Sequence, residues 1–365
     1  MVKIDTVKGG ELLEILEGRH LRRSPPHLLF GRPYTEFPSI LQIRWSELCF
    51  QAPPIKIYKL SNVFVCYQGL VFTEDGDVVE ETIYETPTIA VENSQAEILG
   101  MLGNGYMGRG VTKALLIKKF GSNNYGHFLY EMAPKLHALR MAGIEVPGQL
   151  VLHDFPALNC VAADLFEMAG INRDRLVFSD SSPLHVSELI VVTGLSQHSL
   201  FASPIIQDFY DALVRDVEVG HQKNIYISRK GAQWRKFLDE ESVEQVLASN
   251  NFDIVQPEQM TFREQIQLFK GARTIVGISG AALTNCLFCQ PGSRLLCFMP
   301  ENALEVLFWQ LCNLGNLIYR EWRVSETGSQ VGMLPWDKNL IVDPTVLDGV
   351  VKNFLELGNV GDSVY

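Results

Sequence analysis

Two groups of residues in this chain have the types and the spacing to do chemistry. One is the turn Gly277-Ile278-Ser279-Gly280-Ala281-Ala282-Leu283-Thr284-Asn285, with the cations Arg229, Lys230 and Arg235 upstream in the same run of elements. Small residues after an apolar strand let a helix begin tightly. The unpaired N–H groups of its first turn then make an anion site, usually for phosphate. Cations clustered at the end of a strand suit a diphosphate, and arginine adds bidentate geometry. Each feature alone has an ordinary explanation: glycines that only let a helix approach a strand, or a solvated basic loop. Their presence in one βα series favours the phosphate. The other group is His127 and Glu131, four apart within Asn123-Asn124-Tyr125-Gly126-His127-Phe128-Leu129-Tyr130-Glu131. That spacing puts both on one helical face, where they could act on one proton. It fits equally well a His127 that caps a helix start and a Glu131 in solvent.

Parallel strands must hold these groups in place. Thr274-Ile275-Val276-Gly277 is a short, β-branched run ahead of the turn, as a buried parallel strand requires. Around it the pattern predicts strands over 224–228, 253–256, 274–277, 294–298 and 317–319, with helices over 239–250, 261–270, 282–288 and 303–312. An earlier series predicts strands over 114–117, 149–152, 175–178 and 188–192, with helices over 127–141, 157–169 and 204–217. Strands alternating with helices imply βαβ units and parallel sheets. The first hundred residues read as β-rich. Residues 63–67 and 70–72 flank a Gln-Gly turn, and Asp75-Gly76-Asp77 leads into Val78-Val79 as in a hairpin. The expected organisation is a β-rich N-terminal layer over 1–111, a Rossmann-like domain over 112–220 and a second over 221–343. An amphipathic segment over 344–365 is expected to pack back on the first domain. The polar stretch 217–223 links the two series.

Bulk properties set the class. At 365 residues the chain suits two domains. A net charge of −11 leaves no basic surplus to neutralise a phosphate backbone, which argues against non-specific nucleic-acid binding. Seven cysteines without regular spacing point to reduced thiols and a cytoplasmic setting. Cys286 and Cys289 form a CxxC in an apolar helix, where buried thiols are expected rather than a zinc or redox site. No signal sequence opens the chain, and no apolar run approaches the roughly 18 residues of a membrane span. Residues 103–108 spell GxGxxG, but they precede a strand instead of following one. They read as a turn, not as a nicotinamide site.

With these residues in view, the chain resembles the family 61 glycosyltransferases. The resemblance rests on three motifs in order between about residues 112 and 322: NYGHFLYEMAPKL (124–136), YISRKGAQWRKFLDEE (226–241) and QIQLFKGARTIVGISGAALTNCLFCQPGS (265–293). It implies a GT-B architecture, two Rossmann-like parallel-sheet domains facing a cleft, the C-terminal one for a nucleotide-sugar and the N-terminal one for an acceptor. It implies inverting transfer without a metal. It places Arg229 and Arg235 on the diphosphate and the loop from Ser279 to Asn285 around the nucleotide, with His127 and Glu131 at the reacting centre.

On this reading the catalytic candidates are His127 and Glu131. The donor-binding candidates are Asn124, Arg229, Lys230, Arg235, Ser279, Gly280, Ala281, Ala282, Leu283, Thr284 and Asn285. No metal or separate cofactor is expected. The partners are a nucleotide-sugar donor, expected to be a UDP-sugar, and a carbohydrate or glycoconjugate acceptor of the kind used in polysaccharide synthesis. Four positions depart from the family pattern: Ser279 for its histidine, Ala282 for its second glycine, Cys297 for a glutamate able to bind a ribose hydroxyl, and Glu131 for its aspartate. They leave open a catalytically degenerate member that binds a sugar or a partner. Another nucleotide-sugar enzyme, such as an epimerase, is a third reading.

Overall fold

The structure is a computed structural model that describes residues 1–6, 10–29, 34–105, 109–327, 334 and 337–357. The chain divides into two units. Unit 1 is Met1–His20, Gln51–Gln197 and Phe201–Leu213; unit 2 is Leu21–Phe50, His198–Leu200 and Val214–Tyr365. It is a mixed α/β protein with parallel sheets.

Unit 1 is built on one sheet, in the order Glu11–Leu16, Ile55–Cys66, Leu184–Thr193, Arg109–Leu116, Gln149–His153 and Leu176–Ser179. The last four strands are parallel, and Leu184–Thr193 is antiparallel to Ile55–Cys66. Period-2 side chains explain how the long strand Ile55–Cys66 is buried on both faces. Val63 and Val65 join a core with Ala114, Leu116 and Val151. Phe64 and Cys66 face the other way, against Leu70, Phe72 and Ile98. The strands Glu11–Leu16, Ile55–Cys66 and Leu70–Thr73 are thus members of the unit 1 sheet rather than a layer laid over it. The hairpin around Gln68-Gly69 forms as expected, with Leu70–Thr73 antiparallel to Ile55–Cys66. The region read as β-rich also contains the helix Thr88–Gly103, of which only Ser94 and Ile98 are buried. So thin an apolar stripe gives little helical periodicity to read. Of the 103–108 turn, residues 106–108 lie outside the described residues.

Unit 2 is an all-parallel sheet in the order Phe252–Val255, Lys223–Ile227, Ala272–Ile278, Arg294–Pro300, Ile318–Val324 and His27–Leu28. Every residue of Arg294–Pro300 is buried, as expected of a central parallel strand covered on both faces. Each strand predicted from residue 224 onward is present within a few residues of its expected ends. The short strand His27–Leu28, from 21–50, completes an edge that the alternating pattern did not announce. The helix Phe262–Lys270 begins with a capping box between Thr261 and Glu264. The terminal helix Pro344–Leu357 does not return to the first domain as expected. Its Leu347, Val350, Val351 and Phe354 share a core with Val243 and Leu247 of unit 2. Amphipathicity shows that one face must be buried, not against which neighbour. Residues 358–365 lie outside the described residues, and no described helix is long and apolar enough to cross a membrane.

Candidate active site

In unit 2, three parallel strands deliver their loops to one edge. Ile227 lies in register with Gly277, and Gly277 with Cys297, so Arg229, Ser279 and the loop after Pro300 leave the sheet side by side. Gly280 has an extended φ of 170°, which any residue adopts; what demands glycine is space. A Cβ there would lie 2.6 Å from Arg229 Nη1. Arg235 reaches the same turn, donating from Nη1 to the Ser279 carbonyl at 2.9 Å. Arg229 donates from Nη2 to the Trp234 carbonyl at 3.0 Å. Two guanidinium groups therefore meet the Ser279-Gly280 corner.

The loop carrying them is held by acids. Glu240, at the start of the helix Glu240–Ser249, accepts from the Arg229 N–H at 2.9 Å, the Tyr226 hydroxyl at 2.7 Å and the Phe237 N–H at 3.1 Å. Burial lowers the Arg229 pKa, and the charge of Arg235 lowers it further. Burial lowers Arg235 too, against Asp337 and Glu305. The ion pair from Arg235 to Asp337 is long, at 3.7 Å. Arg229 Nε, Arg235 Nε and Ser279 Oγ are buried and have no hydrogen-bond partner among the described residues. Buried donors are rarely left unmatched, so three at one corner mark where an acceptor-rich group would sit. An anion with several oxygens fits this set.

The rest of the expected donor group divides. Ala281 and Ala282 stay partly exposed at the start of the 3-10 helix Ala281–Phe288. Leu283, Thr284 and Asn285 are buried, and Asn285 donates its amide to Gln265 at 2.9 Å, which makes these three supports of the turn. Lys230 does not join the arginines. Its side chain is 60% exposed and lies 3.6 Å from Glu244. Cys297 is fully buried inside its strand, so this position presents nothing to a ligand. Its neighbour in register, Glu321, is occupied by Tyr319 and Arg323, each at 2.5 Å. Cys286 and Cys289 are buried thiols as expected.

Sequence reasoning missed Glu305 of unit 2. Its carboxylate accepts from the N–H groups of Val306 and Leu307 at the start of the helix Leu307–Leu314, from His198 Nε2 at 3.0 Å, and from the Ser199 hydroxyl. Burial pushes its pKa up, but His198, Ser199 and the Leu307 N–H prevail and hold it at about 2. The available signal was an acid immediately before the apolar run Val306-Leu307-Phe308, the position a helix dipole favours. A helix predicted to begin at 303 concealed it.

Unit 1 carries the second group. The strand Arg109–Leu116 runs into Lys118-Lys119 and a turn at Gly121, whose φ of 87° suits glycine and whose Cβ position lies 3.2 Å from the His127 ring. Asn124 caps the helical turn Tyr125–His127, its side-chain oxygen accepting from Gly126 N–H at 2.8 Å and His127 N–H at 3.3 Å. Within unit 1 that side chain serves as a helix cap. The predicted helix 127–141 is interrupted by a π turn over Phe128–Met132. The Ala133 N–H bonds Phe128 O at 3.0 Å, and the buried Tyr210 hydroxyl donates to the carbonyl of Leu129 at 2.6 Å. Pro134, without an N–H, comes directly after the turn. Such turns are frequent at functional sites.

The structure rules out a solvent-exposed Glu131 and pairs it with His127. Glu131 is not in solvent: its side chain is fully buried, 2.5 Å from His127 Nδ1 and 2.9 Å from Lys119 Nζ. Burial alone would raise its pKa, yet the hydrogen bond from His127 and the charge of Lys119 bring it below the ordinary carboxylate value. An ionised carboxylate only accepts, so His127 donates from Nδ1, and a neutral ring then carries its lone pair on Nε2. Burial, with repulsion from Lys119, pulls the nearby Lys135 down to about 7 despite the attraction of Glu131. Lys119, whose Nζ faces Glu131, also lies 4.4 Å from the Tyr84 ring centre. An imidazole oriented by a buried carboxylate is suited to accept a proton from a hydroxyl.

The family model described as Glycosyltransferase 61 matches residues 125–296, a span that includes His127, Glu131, Arg229, Arg235 and Ser279 and ends before Glu305. No curated protein matches the chain.

Proposed function

We propose, from the match of residues 125–296 to the glycosyltransferase 61 family, an inverting, metal-independent transfer from a nucleotide-sugar to a hydroxyl acceptor. In this reading the acceptor oxygen attacks the anomeric carbon from the side opposite the leaving group. His127 Nε2 takes the acceptor's proton while Glu131 holds the ring and offsets its new charge. The bond from the anomeric carbon to the diphosphate oxygen breaks with its electron pair, and the nucleoside diphosphate leaves. Arg229, Arg235 and Ser279 Oγ meet the charge that grows on it. Cations already in place need no reorganisation at that moment. In this reading the enzyme is of the GT-B type and unit 2 takes the donor.

The observation that carries this reading is the buried corner where Arg229, Arg235 and Ser279 keep unmatched donors beside Gly280. A UDP-sugar is the proposed donor and a carbohydrate or glycoconjugate the acceptor. The seven cysteines are free, which supports a reducing, cytoplasmic setting. The test is a transfer and donor-hydrolysis assay over UDP-, GDP- and CMP-sugars, with Arg229→Ala as control. Turnover is expected with one nucleotide class, with a loss of about tenfold or more in the variant. Binding without turnover would instead identify a degenerate member, and unchanged turnover in the variant would remove Arg229 from the mechanism.

A further inference from the structure

The loop that supplies the arginines also displays a large aromatic ring that the reaction scheme does not use. Among the described tryptophans, Trp45, Trp309 and Trp322 are buried, whereas Trp234 is 47% exposed. Its backbone is not loose. Its carbonyl accepts from Arg229 Nη2 at 3.0 Å, and the next residue, Arg235, donates its N–H to the Asp337 carbonyl at 3.3 Å and its Nη1 to the Ser279 carbonyl at 2.9 Å. Arg235 adopts a left-handed φ of 53°. A non-glycine residue there is strained and persists only where its surroundings over-determine it. The bend sends the Arg235 side chain to the Ser279 corner while the indole before it stays in solvent. An exposed indole on a backbone held by one arginine and followed by the other has the ingredients for recognising a flat ring tethered to an anion.

We propose that Trp234 is a stacking platform for the nucleobase of a nucleoside diphosphate held at Arg229, Arg235 and Ser279. The inference rests on reading that corner as the diphosphate site. Stacking on an indole tolerates every base, because each has a π face. Trp234 therefore supplies affinity for the nucleotide as a class, and choice among bases lies elsewhere.

The experiment titrates UDP, GDP and inorganic pyrophosphate into the intact protein and into Trp234→Leu and Trp234→Phe, following heat and tryptophan fluorescence. For the tighter of the two nucleotides, Trp234→Leu should bind about tenfold or more weakly and Trp234→Phe within about threefold of the parent. Nucleotide should quench the parent's fluorescence, and pyrophosphate should bind all three proteins alike. Equal nucleotide affinity in Trp234→Leu overturns the platform. So does an equal loss for nucleotide and pyrophosphate, which would mean only that the arginine loop had moved. If neither nucleotide nor pyrophosphate binds the parent, the diphosphate reading itself fails and the platform with it.

Discussion

Replacing Glu131 by glutamine keeps the side chain's size and removes the charge that Lys119 and the His127 Nδ1–H both face. An amide that turns its NH2 toward Nδ1 would favour the wrong tautomer and move the lone pair off Nε2. Glu131→Gln and His127→Gln should each lower kcat by about 10²-fold or more, with a much smaller change in donor KM. The same Glu131 variant carries a pH signature. Glu131 has a folded pKa below its ordinary value of 4.5, so its stabilisation is present above that value and is lost as pH falls through the folded pKa. Urea melts should show Glu131→Gln clearly less stable than the parent at pH 7, by about 3 kcal/mol. The gap should narrow as pH falls below the carboxylate range. A gap of equal size at both pH values would mean the charge is not what matters. The four-residue spacing made this pair visible in the sequence. Which of the two takes the proton was not visible, because that depends on burial and on Lys119, and neither is encoded in the spacing.

Strand ends, rather than single side chains, create the corner in unit 2, and Gly280 is where that can be tested. Its extended backbone accepts alanine, but the added carbon would press on Arg229 Nη1, the far end of a flexible side chain. Gly280→Ala should therefore cost little stability, within about 0.5 kcal/mol, while weakening nucleoside diphosphate binding about tenfold. Melting curves and calorimetry separate the two effects, and full affinity in the variant would count against the corner. Elements of this kind were legible because buried parallel strands carry unbroken apolar runs: the run predicted over 274–277 proved to be Ala272–Ile278, buried except at Arg273. The π turn was not legible. It widens the helix over one turn just ahead of Pro134, and no residue type or spacing announces that. Asn124, read as a donor-binding residue from its place after a strand, is a helix cap within unit 1.

Two units, each with its own hydrophobic core, follow from a chain of this length and from two runs of alternating strands and helices. The boundary near residue 214 lies just ahead of the polar stretch expected to link them. Less legible was the exchange of chain between units, since Leu21–Phe50 and the terminal helix both belong to unit 2. Long-range partners of short or amphipathic segments are set by which exposed faces remain to be covered, and one sequence does not state them. The proposed transfer requires the arginine corner of unit 2 to grip a diphosphate. The most direct test is calorimetric titration of UDP into the parent, Arg229→Ala and Arg235→Ala, with hydrogen exchange followed in parallel. UDP should bind the parent and bind each variant tenfold or more weakly, and exchange at 228–235 and 279–285 should slow on adding nucleotide. Equal affinity in all three proteins, or protection confined to residues outside those two segments, would contradict the diphosphate site.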